Sequence, residues 1–132
     1  MSNITAETKI AQKILIVEDE GEMCLVLNIL LNDEENMELE HVKTLTAASE
    51  YLQNQQPSLI VLDNKLPDGY GVDYIGYLKK KYPSIKIVMI SGFDASVEDV
   101  ALENGADYFL QKPFTKQRFL EVIKSLLGDA EH

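Results

Sequence analysis

The stretch LIVLD at residues 59–63 is a run of four aliphatic residues that ends in an acid. Two similar aliphatic runs occur, ILIV at residues 14–17 and IVMI at residues 87–90. Short unbroken apolar runs are typical of strands that are covered on both faces, as in parallel sheets. Two weaker strands are expected, an edge strand of mixed polarity at residues 37–42 and a short strand at residues 108–110. The sequence therefore predicts a five-stranded parallel sheet.

Apolar residues with helical spacing follow each predicted strand. The clearest pattern follows the first strand and consists of Met23, Val26, Leu27, Leu30 and Leu31. Weaker patterns occur around residues 48–52, 74–78, 97–101 and 120–127. Five helices that alternate with five strands through right-handed crossovers predict a three-layer α/β domain. The flavodoxin-like strand order 2-1-3-4-5 is one standard solution for such a domain.

The length of 132 residues is typical of one folded domain, which we expect to comprise residues 13–128. Residues 1–12 lack the unbroken apolar run of a signal peptide, and they are expected to form a flexible N-terminal arm. Residues 129–132 form a tail that is either native or the start of a purification tag.

The composition is strongly acidic, with 12 Lys and Arg against 22 Asp and Glu and a formal net charge of −10. This charge repels phosphate backbones and anionic lipid surfaces, so direct binding to nucleic acid or to a membrane is not expected. Cys24 is the only cysteine, which precludes an intramolecular disulfide and suits a cytoplasmic location.

Polar residues follow the predicted strands at the places where functional groups collect in open α/β sheets. Glu18 and Asp19 follow the first strand, Asp63 ends the third, Ser91 follows the fourth, and the fifth leads into Lys112. Three neighbouring carboxylates repel one another unless a cation intervenes, and an all-oxygen cluster suits Mg²⁺. Asp63 is already ionised at neutral pH, so it could attack phosphorus without a general base. Mg²⁺, Lys112 and Ser91 would then stabilise the charge of the transferred phosphoryl group.

Several segments together resemble the response-regulator receiver family, which includes the chemotaxis regulators. They are residues 14–20 (ILIVEDE), Leu62-Asp63 with Leu66-Pro67 and Gly71, residues 90–92 (ISG), residues 105–107 (GAD) and residues 112–114 (KPF). Their order and spacing match the family over roughly residues 13–128. Each segment alone is a weak signal, whereas the ordered set is highly specific.

The resemblance implies a phosphoacceptor switch of a two-component system. Asp63 would accept a phosphoryl group from a histidine kinase or a histidine phosphotransfer domain, with Mg²⁺ as the cofactor. The acidic residues of the implied metal site are Glu18, Asp19 and Asp63, and the backbone carbonyl of Lys65 is a further implied ligand. No enzymatic turnover is expected beyond self-catalysed phosphotransfer and autodephosphorylation.

The resemblance also implies how the signal leaves the site. Ser91 and Lys112 would contact the phosphoryl group, and Ser91 and Phe109 would act as switch residues. The face formed by the fourth predicted helix, the fifth predicted strand and the fifth predicted helix would rearrange. A downstream effector protein or output domain is the expected partner, and a cis bond often precedes the residue equivalent to Pro113.

Other functions stay open. A hydrolase of the haloacid dehalogenase type also uses an Asp after an aliphatic strand, but its motif calls for a second Asp where this chain has Lys65. A flavin-binding module would need a loop rich in Ser, Thr and Gly after the first strand. A degenerate receiver that acts only as a binding module is a further alternative. Asn64, where an aliphatic residue is usual, and Phe109, which lacks the hydroxyl of Tyr, depart from the commoner receiver pattern.

Several of these residues also have simpler structural interpretations. Asp63 could cap a turn, and Phe109 could be an ordinary core aromatic. Residues 79–81 (KKK) fit the carboxyl end of a helix, where positive charge complements the helix dipole. His41 has no neighbour at metal-ligand spacing and is interpreted as a surface residue of a strand.

Overall fold

The computed structural model describes residues 12–20, 37–92 and 95–128. Its main sheet contains β1 (Gln12–Val17), β2 (Met37–Val42), β3 (Leu59–Asp63), β6 (Lys86–Ser91) and β7 (Tyr108–Gln111). Neighbouring strands pair in parallel in the order β2-β1-β3-β6-β7. Two short strands, β4 (Lys65–Leu66) and β5 (Gly69–Tyr70), form a separate antiparallel ribbon. The predicted five-stranded order 2-1-3-4-5 is therefore confirmed.

Four α-helices lie in the described part of the chain. They are α1 (Leu45–Asn54), α2 (Ile75–Lys81), α3 (Ala95–Glu103) and α4 (Lys116–Leu127), and they correspond to the second to fifth predicted helices. The first predicted helix, residues 23–31, lies outside the described residues, as do residues 1–11 of the predicted arm and the predicted tail at 129–132. Gln12, which was expected to end the arm, is the first residue of β1.

The two faces of the sheet bury two separate sets of side chains. One face packs against α4, where Phe119, Val122 and Ile123 are buried. The other face packs against α1, α2 and α3. Successive side chains of a strand point to opposite faces of the sheet. Because helices cover both faces, all five residues of β3 are buried. Burial on both faces is the physical reason for the unbroken aliphatic runs, and it confirms the predicted three-layer architecture.

β2 is the edge strand that its mixed polarity predicted. Only its first residue, Met37, is buried, and the strand pairs with β1 from Gln12↔Met37 to Val17↔Val42. This register places His41 opposite Ile16, close to the carboxyl end of β1. A polar side chain of the edge strand thus lies next to the point where β1 ends.

The backbone after β3 folds back tightly onto Asp63. The carbonyl oxygen of Asn64 accepts a hydrogen bond from the N–H of Gly71 at 2.7 Å, and its side-chain Oδ1 accepts from the N–H of Val72 at 3.0 Å. A Cβ at Gly71 would lie only 2.2 Å from the backbone oxygen of Asp63. Only glycine fits this close approach, which explains why Gly71 belongs to the motif.

Asp68 ties the same loop to the start of α1. Its carboxylate accepts hydrogen bonds from the N–H groups of Leu45 and Thr46, each at 2.9 Å, and these bonds lower the pKa of Asp68. Thr44 accepts a further bond from the N–H of Ala47. Together these acceptors satisfy N–H groups that have no partner inside the helix.

The residues 105–107 (GAD) join α2 to the sheet. Oδ2 of Asp107 accepts from the N–H of Ile87 at 2.8 Å and from Nζ of Lys79 at 3.2 Å. Gly105 has a φ of +114° and passes so close to Lys79 that a Cβ would lie 2.9 Å from its Cγ. Lys79, in the last turn of α2 as predicted, therefore also has a specific partner in the loop before β7.

Candidate functional site

Asp63 lies at the carboxyl end of the central strand β3 and is 5% exposed. Its Oδ2 is 3.3 Å from Nζ of Lys112, which follows β7, and its Oδ1 accepts a hydrogen bond from the N–H of Asn64 at 2.8 Å. One ion pair thus joins two residues that are 49 positions apart in the sequence. The predicted convergence of Asp63 and Lys112 is present in the structure.

Burial raises the pKa of Asp63 above the ordinary value for an aspartate. The ammonium of Lys112 and the N–H of Asn64 oppose this shift because they stabilise the ionised carboxylate. Lys112 and the N–H of Asn64 therefore offset only part of the free-energy cost of burying the ionised Asp63 carboxylate. Further positive charge at this site would stabilise the ionised form.

Glu18 follows β1 and is completely buried. One carboxylate oxygen, Oε1, accepts a hydrogen bond from the N–H of Glu20 at 2.7 Å. The other oxygen, Oε2, has no hydrogen-bond partner among the residues that the structure describes. Burial raises the pKa of Glu18 above its ordinary value, and the hydrogen bond from Glu20 opposes this shift. A buried carboxylate oxygen without a donor is costly unless a cation or a proton reaches it.

Three carboxylates form an acidic cluster at this edge of the sheet. Ligand atoms of Glu18, Glu20 and Asp63 all lie within 4.8 Å of one another, close enough to hold one metal ion. Nζ of Lys112 lies 3.6 Å from Oε1 of Glu20, so the lysine borders the cluster. The Oε2 of Glu18, which has no hydrogen-bond partner within the described ranges, and the all-oxygen donor set fit a hard divalent cation.

The predicted metal residues differ in how they relate to this cluster. Glu18 and Asp63 belong to it, whereas Asp19 is exposed at a bend and is not among its three members. Lys65 lies in β4 with an exposed side chain, two residues after Asp63. Glu20, which sequence reasoning did not select, reaches the cluster because the chain bends at Asp19. The only sequence signal for Glu20 was its position as an acid two residues after Glu18.

Ser91 and Phe109 lie on neighbouring strands, Ser91 on β6 next to β3 and Phe109 on β7 one strand further from Asp63. Ser91 ends β6, and its backbone oxygen accepts a hydrogen bond from the N–H of Lys112 at 2.7 Å. Phe109 lies in β7 and packs, partly buried, against the core on the side of α1, α2 and α3. The bond before Pro113 is cis, as the family resemblance implied. Ser91 and Lys112 are therefore linked directly through the backbone.

His41 contacts the site from β2. Its Nε2 lies 2.8 Å from the backbone oxygen of Glu18 and 3.4 Å from Oε2 of the same residue. The sequence interpretation of His41 as a strand surface residue missed this contact. The contact depends on the pairing of β1 with β2, and no local pattern around His41 indicates it.

The fold and the site define a class of protein, an open parallel α/β domain with buried acids and a lysine at the carboxyl edge of its sheet. The response regulator receiver domain family matches residues 14–124. This match covers most of the sequence, and the chain belongs to that family.

Curated relatives support this assignment. The chain is 31% identical over 119 residues to the response regulator protein PilR of Pseudomonas aeruginosa, a match that covers 88% of this chain and 26% of PilR. It is 33% identical over 116 residues to the transcriptional regulatory protein BasR of Escherichia coli, covering 87% of this chain and 52% of BasR. The chain thus spans about a quarter to about half of the length of these two relatives.

Solved structures share the fold. A CheY-like receiver domain protein from Methanospirillum hungatei is 29% identical, with a TM-score of 0.84 over 92% of this chain and 97% of that one. The beryllofluoride-activated NtrC4 receiver domain, solved as a dimer, is 33% identical, with a TM-score of 0.82 over 89% of this chain and 97% of that one. These likenesses agree with the flavodoxin-like topology described above.

None of the helices among the described residues has the length and apolar character needed to cross a bilayer.

Proposed function

We propose that this receiver domain is the phosphoacceptor switch of a two-component system, and that Asp63 accepts the phosphoryl group. The observation that carries the proposal is the buried carboxylate of Asp63, which lies 3.3 Å from Lys112 inside an acidic cluster. The donor would be a phosphohistidine of a histidine kinase or of a histidine phosphotransfer domain. The proposed location is the cytoplasm, where such kinases present their phosphohistidine.

The proposed transfer forms one bond and breaks another. A carboxylate oxygen of Asp63 attacks phosphorus, a P–O bond forms, and the P–N bond to the donor imidazole breaks. Asp63 needs no general base because its reactive form is the ionised carboxylate. Lys112 and the hydroxyl of Ser91 stabilise the charge on the phosphoryl oxygens, which is greatest in the transition state.

The proposed Mg²⁺ site lies at the acidic cluster and also includes Asp19, which is adjacent to it in the chain. Asp63, Asp19 and Glu18 would hold the ion together with the backbone carbonyl of Lys65, and Glu20 would add negative charge beside them. When bound, Mg²⁺ supplies the positive charge that offsets carboxylate repulsion and the charge of the phosphoryl group. The lack of a hydrogen-bond partner for Oε2 of Glu18 in the part of the chain that the structure describes supports this placement.

The proposed output is a rearrangement of the face formed by α3, β7 and α4. An aspartyl phosphate would draw in the Ser91 hydroxyl and the Lys112 ammonium. Because the N–H of Lys112 is bonded to the carbonyl of Ser91, movement of either residue pulls on the other. Phe109 on β7 would repack in response. The expected reader is an effector protein or an output domain rather than nucleic acid or a membrane.

Intact-mass measurement tests the proposal. Incubation with a small acyl phosphate donor and Mg²⁺ is expected to add one acid-stable, base-labile phosphoryl group to the wild type and none to Asp63→Asn. Asp99→Asn, which changes an exposed acid on α3, is the matched control and should be labelled like the wild type. An unmodified wild type, or equal labelling of Asp63→Asn, would exclude Asp63 as the acceptor.

A further inference from the structure

Residues of β2 contact both polar groups of the Glu18 main chain, the N–H and the carbonyl oxygen. The N–H of Glu18 donates to the carbonyl oxygen of Val42 at 3.1 Å, which extends the pairing of β1 and β2 by one residue. The carbonyl oxygen of Glu18 lies 2.8 Å from Nε2 of His41. A carbonyl oxygen can only accept a hydrogen bond, so at this distance Nε2 must carry the hydrogen and donate it.

The same imidazole lies beside the carboxylate of Glu18. Nε2 of His41 is 3.4 Å from Oε2, the oxygen without a hydrogen-bond partner among the described residues. The Glu18 side chain is 0% exposed and the His41 side chain is 20% exposed, so the contact between them is largely removed from water. Shielding from water strengthens the hydrogen bond to the Glu18 carbonyl.

We propose that His41 is a positioning residue for the acidic cluster, an inference that rests on the proposed Mg²⁺-dependent function. The peptide group that begins with the Glu18 carbonyl is planar, so a donor that fixes this oxygen also fixes the N–H of Asp19. The orientation of that peptide sets the direction in which Asp19 and Glu20 leave β1. His41 thereby controls where the acids after β1 point, although it lies on a different strand.

This role requires a hydrogen-bond donor at the Nε2 position, whereas simple packing at the sheet edge requires only volume. His41→Gln keeps an N–H donor that can reach the Glu18 carbonyl. His41→Leu keeps a side chain of similar bulk without any donor. Glu40→Gln changes the exposed neighbour of His41 on β2 and is the matched control.

Mg²⁺ affinity, measured by isothermal titration calorimetry, is the first readout. His41→Leu is expected to weaken Mg²⁺ binding about tenfold. This is the lower end of the range of effects seen when a group that orients metal ligands is removed. His41→Gln and Glu40→Gln should each remain within about twofold of the wild type, since each keeps the donor to the Glu18 carbonyl. Wild-type affinity in His41→Leu, or an equal loss in His41→Gln and His41→Leu, would overturn the proposal.

Two measurements on the metal-free protein separate this inference from the proposed function. The amide resonances of Asp19 and Glu20 should move in His41→Leu and return toward the wild type in His41→Gln. In the wild type, the imidazole ¹⁵N spectrum should show hydrogen on Nε2, and a ring protonated only on Nδ1 would overturn the inference without any variant. If the wild type does not bind Mg²⁺, the proposed function fails, and these two readouts still decide the role of His41.

Discussion

Glu18 and Asp63 are both buried acids at the ends of aliphatic strands, yet their surroundings differ. Asp63 faces the ammonium of Lys112 at 3.3 Å, whereas Glu18 has one oxygen without a hydrogen-bond partner in the described part of the chain. Burial raises the pKa of both carboxyls. Asp63 therefore has its own counter-charge, whereas Glu18 depends on a neighbour from the edge strand and, in our proposal, on a metal ion.

The backbone around the two acids differs as well. The chain after Asp63 is held by contacts within its own loop, through Asn64 and Gly71, and by the cap that Asp68 forms on α1. The chain after Glu18 is held from β2, through His41 and Val42. We therefore expect substitutions beside Asp63 to act on chemistry and stability, and substitutions beside Glu18 to act on metal binding.

Removal of the Asp63 counter-charge should have the largest effect. Lys112→Met is expected to slow phosphorylation of Asp63 by about 100-fold, because one donor to the charged transition state is lost. The rate from a small acyl phosphate donor can be followed by intact mass. Lys116→Met, at an exposed position on α4, should leave the rate unchanged. Equal rates for wild type and Lys112→Met would show that Lys112 does not assist the transfer.

The tight backbone approach beside Asp63 predicts a large loss of stability. Gly71→Ala places a Cβ where only 2.2 Å separates it from the Asp63 oxygen, so the backbone must shift. We expect the free energy of unfolding to fall by about 2 kcal/mol. A Cβ at Gly76 in α2 would meet no described atom within 4 Å apart from its chain neighbours and the backbone of its own helix, so Gly76→Ala should instead raise the free energy of unfolding by about 0.5–1 kcal/mol. Denaturant unfolding measures the free energy of unfolding of both variants. If it falls by a similar amount in both, the steric argument for Gly71 is wrong.

Neutralisation of Asp63 should stabilise the metal-free protein. Because burial raises the pKa of Asp63 in the folded state, the folded protein binds the proton more tightly than the unfolded chain does. The stability that this group contributes is fully present below its unfolded pKa of about 3.9 and is lost as the pH rises through the folded pKa. Asp63→Asn is therefore expected to raise the free energy of unfolding at neutral pH by about 1 kcal/mol. This is the approximate cost of burying a polar group whose hydrogen bonds are incomplete.

The pH dependence distinguishes this cause from a general effect of the substitution. The advantage of Asp63→Asn should shrink as the pH falls toward about 4, where the wild-type carboxyl also becomes neutral. Asp99→Asn, the same Asp-to-Asn change at an exposed position on α3, is the control for a general effect of the substitution. An advantage that is constant with pH, or a destabilised Asp63→Asn, would mean that the Lys112 ion pair outweighs burial.

Sequence reasoning predicted the parts of this molecule that depend on local pattern. The aliphatic runs gave the central strands because both faces of the sheet are covered. The position of Asp63 at the end of β3 followed from the same pattern, and the resemblance added the cis bond before Pro113. Both depend on residues that are close together in the chain.

Sequence reasoning missed contacts that depend on register or on loop conformation. His41 reaches Glu18 only because β1 and β2 pair in one particular register. The cap from Asp68 to α1 joins residues more than 20 positions apart, and no motif indicated it. The closeness of Glu20 to Asp63 depends on the bend at Asp19. Such contacts become visible only when backbone positions are known.

The smallest expected effect concerns which acid after Glu18 binds the metal. The family resemblance implies Asp19, whereas the acidic cluster contains Glu20, whose side chain is 62% exposed and lies 3.6 Å from Lys112. Charge at such an exposed position is screened by water, so Glu20→Gln should weaken Mg²⁺ binding by only about twofold. Asp19→Asn should weaken it by about fivefold if Asp19 turns inward to coordinate the ion, because a direct ligand is lost. Calorimetric titration of both variants beside Glu40→Gln measures the difference, and the reverse order of affinities would assign the ligand to Glu20 instead.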